Sequence, residues 1–303
     1  MSASKPLSRF RPAAYLVAAG LALFAADRLL AAGLGYLVTQ SDYRASRIYA
    51  GTAKAEVLIL GNSVANAMVL PPDLSRELQH SVFSLAAHGL DAQTQKVLVQ
   101  DLIDHGGAPT IAILEIRPVL QSPVRAIEFS PYANLSPRLD ALIAKSQKTV
   151  IPWTHIFHVN SFNSSSLVNI AQKVVDRDDQ STGPSNGTIN AAIKKKWLAT
   201  HEAPLIDQEH LKAFEETIFA LRAAGVHVVV VAAPMNSVTL QKGPWAKAMV
   251  ARVRADLPDD VVVVDHTALF AQDHYFEDPI HMNKHGREAY RPHLVKIALQ
   301  NGL

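Results

Sequence analysis

No cysteine occurs anywhere in the chain. Disulfides, thiol nucleophiles and cysteine-ligated metals are therefore excluded. The compartment stays open on that count, because a chain of 303 residues needs no covalent staples. A large charge excess is also missing. The net charge is +2 at pH 7 and no basic stripe stands out, which excludes the electrostatic footprint of a nucleic-acid binder. No glycine-rich, phosphate-cradling loop is present. Internal repeats and low-complexity tracts are absent too. The 13 histidines include no helical pair with an acidic third member. His155 and His158, at i and i+3, come nearest to a zinc pair, and no metal or cofactor is expected. What the chain does have is 49% hydrophobic against 18% charged residues, enough apolar material for a sizeable core.

Lys5, Arg9 and Arg11 precede an apolar run from Ala13 to Ala26, about 21 Å of helix and short of a ~30 Å hydrocarbon core. Asp27 and Arg28 interrupt the run, and counting on through Val38 makes it long enough. Three readings are open. One is a signal-anchor helix with its N-terminus in the cytoplasm, by the positive-inside rule. Another is a signal peptide cleaved near Ala31-Ala32-Gly33. The third is a buried or interfacial helix of a soluble protein. The first two place the body of the protein outside the cytoplasmic membrane, and the first divides the chain into an anchor over residues 1–40 and a domain over 41–303.

After a polar connector from Thr39 to Lys54, strand and helix patterns alternate. Glu56–Leu60, Val82–Leu85, Thr110–Ile116, Val226–Ala233 and Val261–Asp265 are short apolar runs that read as buried parallel strands, with Val226–Ala233 the most buried in character. Between them, helices are expected over Pro72–Leu78, Gln93–His105 (N-capped by Asp91), Leu211–Ala223 and Trp245–Asp256, with a closing helix over Lys284–Gln300. This order predicts a three-layer α/β/α, flavodoxin-like domain with about five parallel strands, plus the N-terminal membrane-anchor helix. The rhythm fails from about residue 117 to 204, where Pro118, Pro123, Pro131 and Pro137 break it. Leu139–Lys145 and Ser165–Val175 read as helical, and Arg177–Asn190 as an exposed loop. This stretch is expected to be an insertion over the sheet's functional edge. Its aromatics, Trp153, Phe157, Phe162 and Trp197, either stack on a sugar ring or hold the insertion against the sheet.

Val57-Leu58-Ile59-Leu60-Gly61-Asn62-Ser63 is a strand running into a sharp turn, with a hydroxyl at the strand's carboxyl end, where open α/β sheets place their chemistry. Near the C-terminus stands Asp278-Pro279-Ile280-His281. An Asp three residues before a His can reach Nδ1, fix the tautomer and leave Nε2 free to take a proton from a serine. Ser63 and His281 lie 218 positions apart (281 − 63), so only the fold can join them. Gly89, after the second strand, allows a close backbone N–H, and Asn236, after the fourth, offers a side-chain amide; with the Ser63 N–H these make three donors for an oxyanion. Plainer roles exist for each. Ser63 suits an N-cap, His281 a local hydrogen bond, Asn236 a turn, and His88 the rim of a site.

Ser63 in LILGNS, Gly89, Asn236 and the Asp278-x-x-His281 pair resemble, in order, the four blocks of the SGNH (GDSL-like) hydrolase superfamily, over roughly Glu56 to the C-terminus less the insertion. DPIHMNKHG looks like the family's final block, with Asn283 and Gly286 in place. Gly61-Asn62-Ser63 departs from the family's common Gly-Asp-Ser, and Pro234-Met235-Asn236-Ser237 from its Gly-x-Asn-Asp. The resemblance implies Ser63 as nucleophile, His281 as base, Asp278 as its orienter, and Gly89 and Asn236 as oxyanion donors. An anchored, outward-facing domain of this kind is similar in layout to proteins that O-acetylate alginate or cellulose and to the anchored protein of teichoic-acid D-alanylation. The function so implied is acetyl transfer to, or ester hydrolysis on, an envelope or extracellular polysaccharide. A membrane-bound O-acyltransferase is then the implied partner. A carboxylesterase or lipase for small esters and a non-catalytic anchored glycan-binding or scaffold module are the alternatives.

Overall fold

The computed structural model describes residues 11–147, 156–176, 180 and 186–303. Lys5, Arg9, Trp153 and His155 lie outside the described residues, as does most of the expected loop over 177–190. Five parallel strands form one sheet: β1 Val57–Leu60, β2 Val82–Ser84, β3 Ile111–Glu115, β4 His227–Ala232 and β5 Val262–Asp265, in the order β2-β1-β3-β4-β5. The register aligns Val57 with Val82 on one side and with Ile111 on the other, and Ile111 with His227. The strands form because short β-branched and leucine runs can bury both faces only between two helical layers. β1 and β3 are buried throughout, whereas β4 opens with an exposed His227 and β5 is a half-exposed edge. Central position in the sheet, not apolar run length, decides burial here.

Alternate strand residues serve two cores. Leu58, Leu60, Ala112, Leu114 and Val230 face a layer with Val97, Leu98, Phe214, Ile218 and Met249 from helices Ala92–Asp104, Gln208–Ala223 and Trp245–Asp256. Val57, Ile59, Ile111, Ile113 and Val231 face the other layer. It carries Val64 and Met68 from helix Ser63–Met68, Leu74 from Pro71–Leu78, and Tyr290 and Leu294 from Lys284–Gln300. Each fully buried leucine or phenylalanine contributes about 1.5–3 kcal/mol of transfer free energy. The three-layer α/β/α expectation stands.

Residues of the expected insertion leave the sheet after β3 and return at a narrow neck. Leu120 bridges Ile206, the Gln121 N–H donates to the Leu205 carbonyl at 2.8 Å, and the Asp207 N–H to the Val119 carbonyl at 3.0 Å. Inside it are a 3₁₀ stretch Ala126–Leu135 and helices Pro137–Ser146, Ser166–Val175 and Ala191–Thr200. The last was not foreseen. Asn190 caps it by accepting from the Ile193 N–H. Tyr132 fastens the insertion to the body, fully buried, its hydroxyl 2.7 Å from Ser46 Oγ and its ring stacked on Tyr49. Phe162 is buried in the first core, and Trp197 packs on the second with its ring stacked on His201. For these two aromatics the packing role holds.

The N-terminal helix runs unbroken from Arg11 to Thr39, about 43 Å, so Asp27 and Arg28 do not interrupt it. By length and composition Pro12–Thr39 can cross a membrane. Its two halves differ. Every residue from 12 to 26 is exposed, whereas Asp27, Ala31, Gly35 and Val38, spaced along one face, are buried against the protein. Asp27 is the fastening point. Its carboxylate accepts from the backbone N–H groups of His158 (2.9 Å) and Val159 (3.1 Å) and pairs with Arg28. The opposite face keeps Leu29, Leu30, Tyr36 and Leu37 exposed.

Candidate active site

The turn after β1 explains its own sequence. Gly61 has φ +143°, and a Cβ there would stand 2.6 Å from Ala65 Cβ and 2.9 Å from Glu115 Cβ, so no side chain fits. Asn62 then caps helix Ser63–Met68, its Oδ1 accepting from the Val64 N–H at 3.0 Å. The cap is Asn62 and not Ser63, which leaves the Ser63 hydroxyl free. Asparagine offers the same acceptor oxygen as aspartate, so the departure from Gly-Asp-Ser costs the turn nothing.

The second corner comes from the segment before the last helix. Phe276 bridges Met282, and the Glu277 N–H donates to the His281 carbonyl at 3.1 Å, closing a short loop. Within it Asp278 Oδ1 accepts from the N–H groups of Ile280 and His281, both at 2.8 Å, and Oδ2 lies 2.7 Å from His281 Nδ1. Burial alone raises the Asp278 pKa, but the His281 hydrogen bond and charge and the two N–H donors outweigh it and hold the carboxyl below its usual range. His281 Nε2 lies 2.8 Å from Ser63 Oγ. The structure thus brings Ser63, His281 and Asp278 into one hydrogen-bonded chain. Asn283 and Gly286 support it from below. Asn283 caps the last helix through the Gly286 N–H and donates to the carbonyls of Gly187 and His274; a Cβ on Gly286 would meet the Tyr275 carbonyl at 2.2 Å.

Ser63 and His281 open into a cleft of about 480 Å³, within the usual range for a small-molecule site. Its walls come from four places: Arg44 from the connector, Asn66 from the helix of Ser63, Ala86 to His88 from the loop after β2, and Arg125, Glu128, Phe129 and Lys173 from the insertion. Residues of the stretch 117–204 thus line the cleft beside Ser63 and His281. None of Phe157, Phe162 and Trp197 lines the cleft; its aromatic walls are Tyr43 and Phe129. His88 is at the rim, and burial, followed by the positive charges of His281 and Arg44, lowers its pKa against the opposing pull of Glu277.

Gly89 does not itself line the cleft, although His88 and Leu90 on either side of it do. Gly89 has φ +66°, and a Cβ would approach Arg125 Nε to 2.8 Å, so glycine is required there. Neither its N–H nor that of Ser63 donates to another described residue. Asn236 is a correction. It is fully buried, its Oδ1 accepts from the Val238 N–H, its Nδ2 donates to Asp273 at 3.2 Å, and it does not line the cleft. The reason is the sheet order. β3 and not β4 flanks β1, so the turn next to Ser63 is Glu115-Ile116-Arg117, and Asn236 sits one strand too far.

Three functional-site residues escaped the sequence reading. Arg117 is 5% exposed, donates to the carbonyls of Ile280 (3.1 Å), Ala233 and Pro234, and lies against the fully buried Glu115. It ties the Asp278–His281 loop to the ends of β3 and β4. Burial pushes the Glu115 carboxyl up to about 7 against the attraction of Arg117. Arg44, in a connector without pattern, had no signal; its guanidinium donates to the Ala86 carbonyl and to Asn66 Oδ1. Asn66 had a weak one, its i+3 spacing from Ser63. Among the described residues, one trio could offer a metal three ligand atoms within 4.8 Å of one another: Glu277, Asp278 and His281. Two of its members, Asp278 and His281, are already bonded to each other in the chain that reaches Ser63.

No family model matches the chain. No curated protein matches it either. Solved structures with a similar course of the chain include a "putative acylhydrolase" from Bacteroides fragilis (11% identity, TM-score 0.42, covering 80% of this chain and 87% of that one). Also similar is a family two carbohydrate esterase from Clostridium thermocellum in complex with cellohexaose (8% identity, TM-score 0.38, 80% of this chain and 62% of that one). An active-site mutant of such an esterase stands at 9% identity and TM-score 0.37. Likeness at this level carries no argument about chemistry, so the reading of the site rests on its own geometry.

Proposed function

We propose that this protein is a serine-dependent acyl-transfer enzyme acting on ester groups of a carbohydrate. The observation that carries the proposal is the hydrogen-bonded chain from Ser63 Oγ through His281 to Asp278, at 2.8 and 2.7 Å. His281 Nε2 takes the Ser63 proton as Oγ attacks the ester carbonyl. The carbonyl π pair moves onto oxygen, facing the N–H groups of Ser63 and Gly89. Collapse expels the alkoxide, which leaves with the proton from His281, and an acyl-serine remains. A second nucleophile then repeats the cycle. If it is water the outcome is hydrolysis; if it is a sugar hydroxyl the acyl group, acetyl in the reading favoured here, is transferred. The walls of the cleft are polar and apolar in nearly equal measure, and Arg125, Glu128, Asn169, Gln172 and Lys173 among them offer hydrogen bonds that a sugar can use and a lipid chain cannot.

The exposed first half of the N-terminal helix supports a single-pass anchor, with the domain on the outer side of the cytoplasmic membrane and a polysaccharide within reach. A membrane-bound acyltransferase that delivers acyl groups across the bilayer fits this placement as donor. Because Asp27, Ala31 and Val38 are buried against the domain, the test uses the full chain in detergent. Turnover of p-nitrophenyl acetate by the wild type and its loss in Ser63→Ala are expected. Equal rates in the two proteins would sink the proposal. Oligosaccharides supplied with an acetyl donor separate the two outcomes: acceptor mass gains of one acetyl group mark transfer, and free acetate across a wide acceptor panel marks hydrolysis.

A further inference from the structure

With Asn236 removed from the site, the oxyanion donors proposed above are two backbone N–H groups, of Ser63 and Gly89, and no side chain is among them. Asn66 is a side chain of the cleft with an amide NH₂ to offer. It lies three residues after Ser63 on the same helix, so the two side chains share a face, and both line the cleft together with His281. Its amide orientation follows from chemistry. Arg44 Nη1 lies 3.1 Å from the Asn66 oxygen, and a guanidinium can only donate, so the oxygen must face Arg44 and the NH₂ must face away from it. That NH₂ donates to no described residue, and Asn66 is half-exposed on the cleft. Arg44 is itself held: it is buried to 8% exposure and also donates to the Ala86 carbonyl at the start of the loop that carries Gly89.

We infer that Asn66 is a catalytic residue whose Nδ2 donates to the substrate's carbonyl oxygen as it becomes an oxyanion, and that Arg44 positions it. The inference rests on the serine-acyl reading above. As the Oγ–C bond forms, charge grows on the former carbonyl oxygen, and a donor whose amide orientation Arg44 already fixes stabilises that charge with little reorganisation. Arg44 adds a second effect by gripping Asn66 and the Ala86 carbonyl at once, so one guanidinium sets the side-chain donor and the Gly89 loop in register. No resemblance at the level of blocks finds this pair, because its two members come from the connector and from the body of the nucleophile's own helix.

The test uses the full chain in detergent with p-nitrophenyl acetate, and measures kcat, KM and the melting temperature of Ser63→Ala, Asn66→Ala, Asn66→Asp and Arg44→Lys. Asn66→Ala removes the donor. Asn66→Asp keeps the size and the acceptor for Arg44 but puts a carboxylate where charge must grow. Both are expected to lower kcat about 10²–10³-fold, with KM within about threefold and little change in melting temperature. Arg44→Lys is expected to lower kcat less than either. If both Asn66 variants keep kcat within threefold of wild type while Ser63→Ala is dead, the assignment of Asn66 is wrong and the serine reading stands. If Ser63→Ala matches wild type, the serine reading fails and this inference falls with it. Should one Asn66 variant fail to fold, the other decides by the same thresholds.

Discussion

Replacing Asp278 by asparagine probes the site most sharply, because it turns one anionic acceptor oxygen into a neutral NH₂ donor with almost no change in volume. In the wild type, Oδ1 takes two backbone N–H groups and Oδ2 takes His281 Nδ1–H. The asparagine oxygen can keep the backbone pair. Its NH₂ then faces Nδ1 and forces the imidazole to carry its proton on Nε2, aimed at Ser63 Oγ. A base that is already protonated at the reactive nitrogen cannot take the serine proton. The expected loss in kcat is about 10³–10⁴-fold, as wrong-tautomer substitutions give elsewhere, with KM little changed. The stability cost is far smaller. The Asp278 side chain is 37% exposed, so solvent screens the pair and the loss is about 1 kcal/mol or less. The pH dependence also has a sign. The folded-state pKa of Asp278 is lowered, so its contribution is present above the unfolded value of about 3.9 and disappears as pH falls through the folded value. The asparagine variant should lack that part of the acid limb. Ester turnover and thermal unfolding from pH 3 to 7, measured on the same samples, check both. A variant within tenfold of wild-type kcat would refute the tautomer argument.

Four more outcomes follow from named contacts. Arg117→Met leaves Glu115 buried without its partner and frees the Ile280 carbonyl; a loss of about 3–5 kcal/mol is expected, read by denaturant unfolding. Glu115, raised to about 7 by burial, should contribute fully below its unfolded value of about 4.3 and lose that contribution as pH rises through about 7, so wild-type stability should fall relative to Glu115→Gln between pH 5 and 8. Parallel curves would show that the carboxyl does not titrate there. Gly61→Ala puts a Cβ 2.6 Å from Ala65 Cβ at φ +143° and should cost more than about 2 kcal/mol, together with turnover, because the turn sets the position of Ser63; a melting temperature within 2–4 °C of wild type would contradict it. Asp27→Ala strips the acceptor from the His158 and Val159 N–H groups, and hydrogen exchange over residues 158–162 should speed up while β1 and β3 stay protected.

The sequence by itself was enough for whatever is decided locally. Strand periodicity marked all five strands to within a residue or two, because a buried strand needs an unbroken apolar run wherever it sits in the sheet. The Asp278–His281 bond was legible for the same reason: three residues of one tight loop place carboxylate and imidazole within reach before anything else folds. Gly61 and Gly286 carry their constraint in their identity. Sheet order is different in kind. Nothing in the runs themselves says that β3 lies between β1 and β4, yet that order removes Asn236 from the site and puts the buried Glu115–Arg117 pair beside it. Ser63 and His281, 218 positions apart, close to 2.8 Å only through the packing of the last helix on the same face of the sheet as the helix of Ser63. Arg44 and Asp27 act through partners distant in the chain, with no local pattern to announce them, and Asn66 had only its i+3 spacing from Ser63. A contact across the chain is decided by which surfaces the core brings together, and that is a property of the tertiary structure alone.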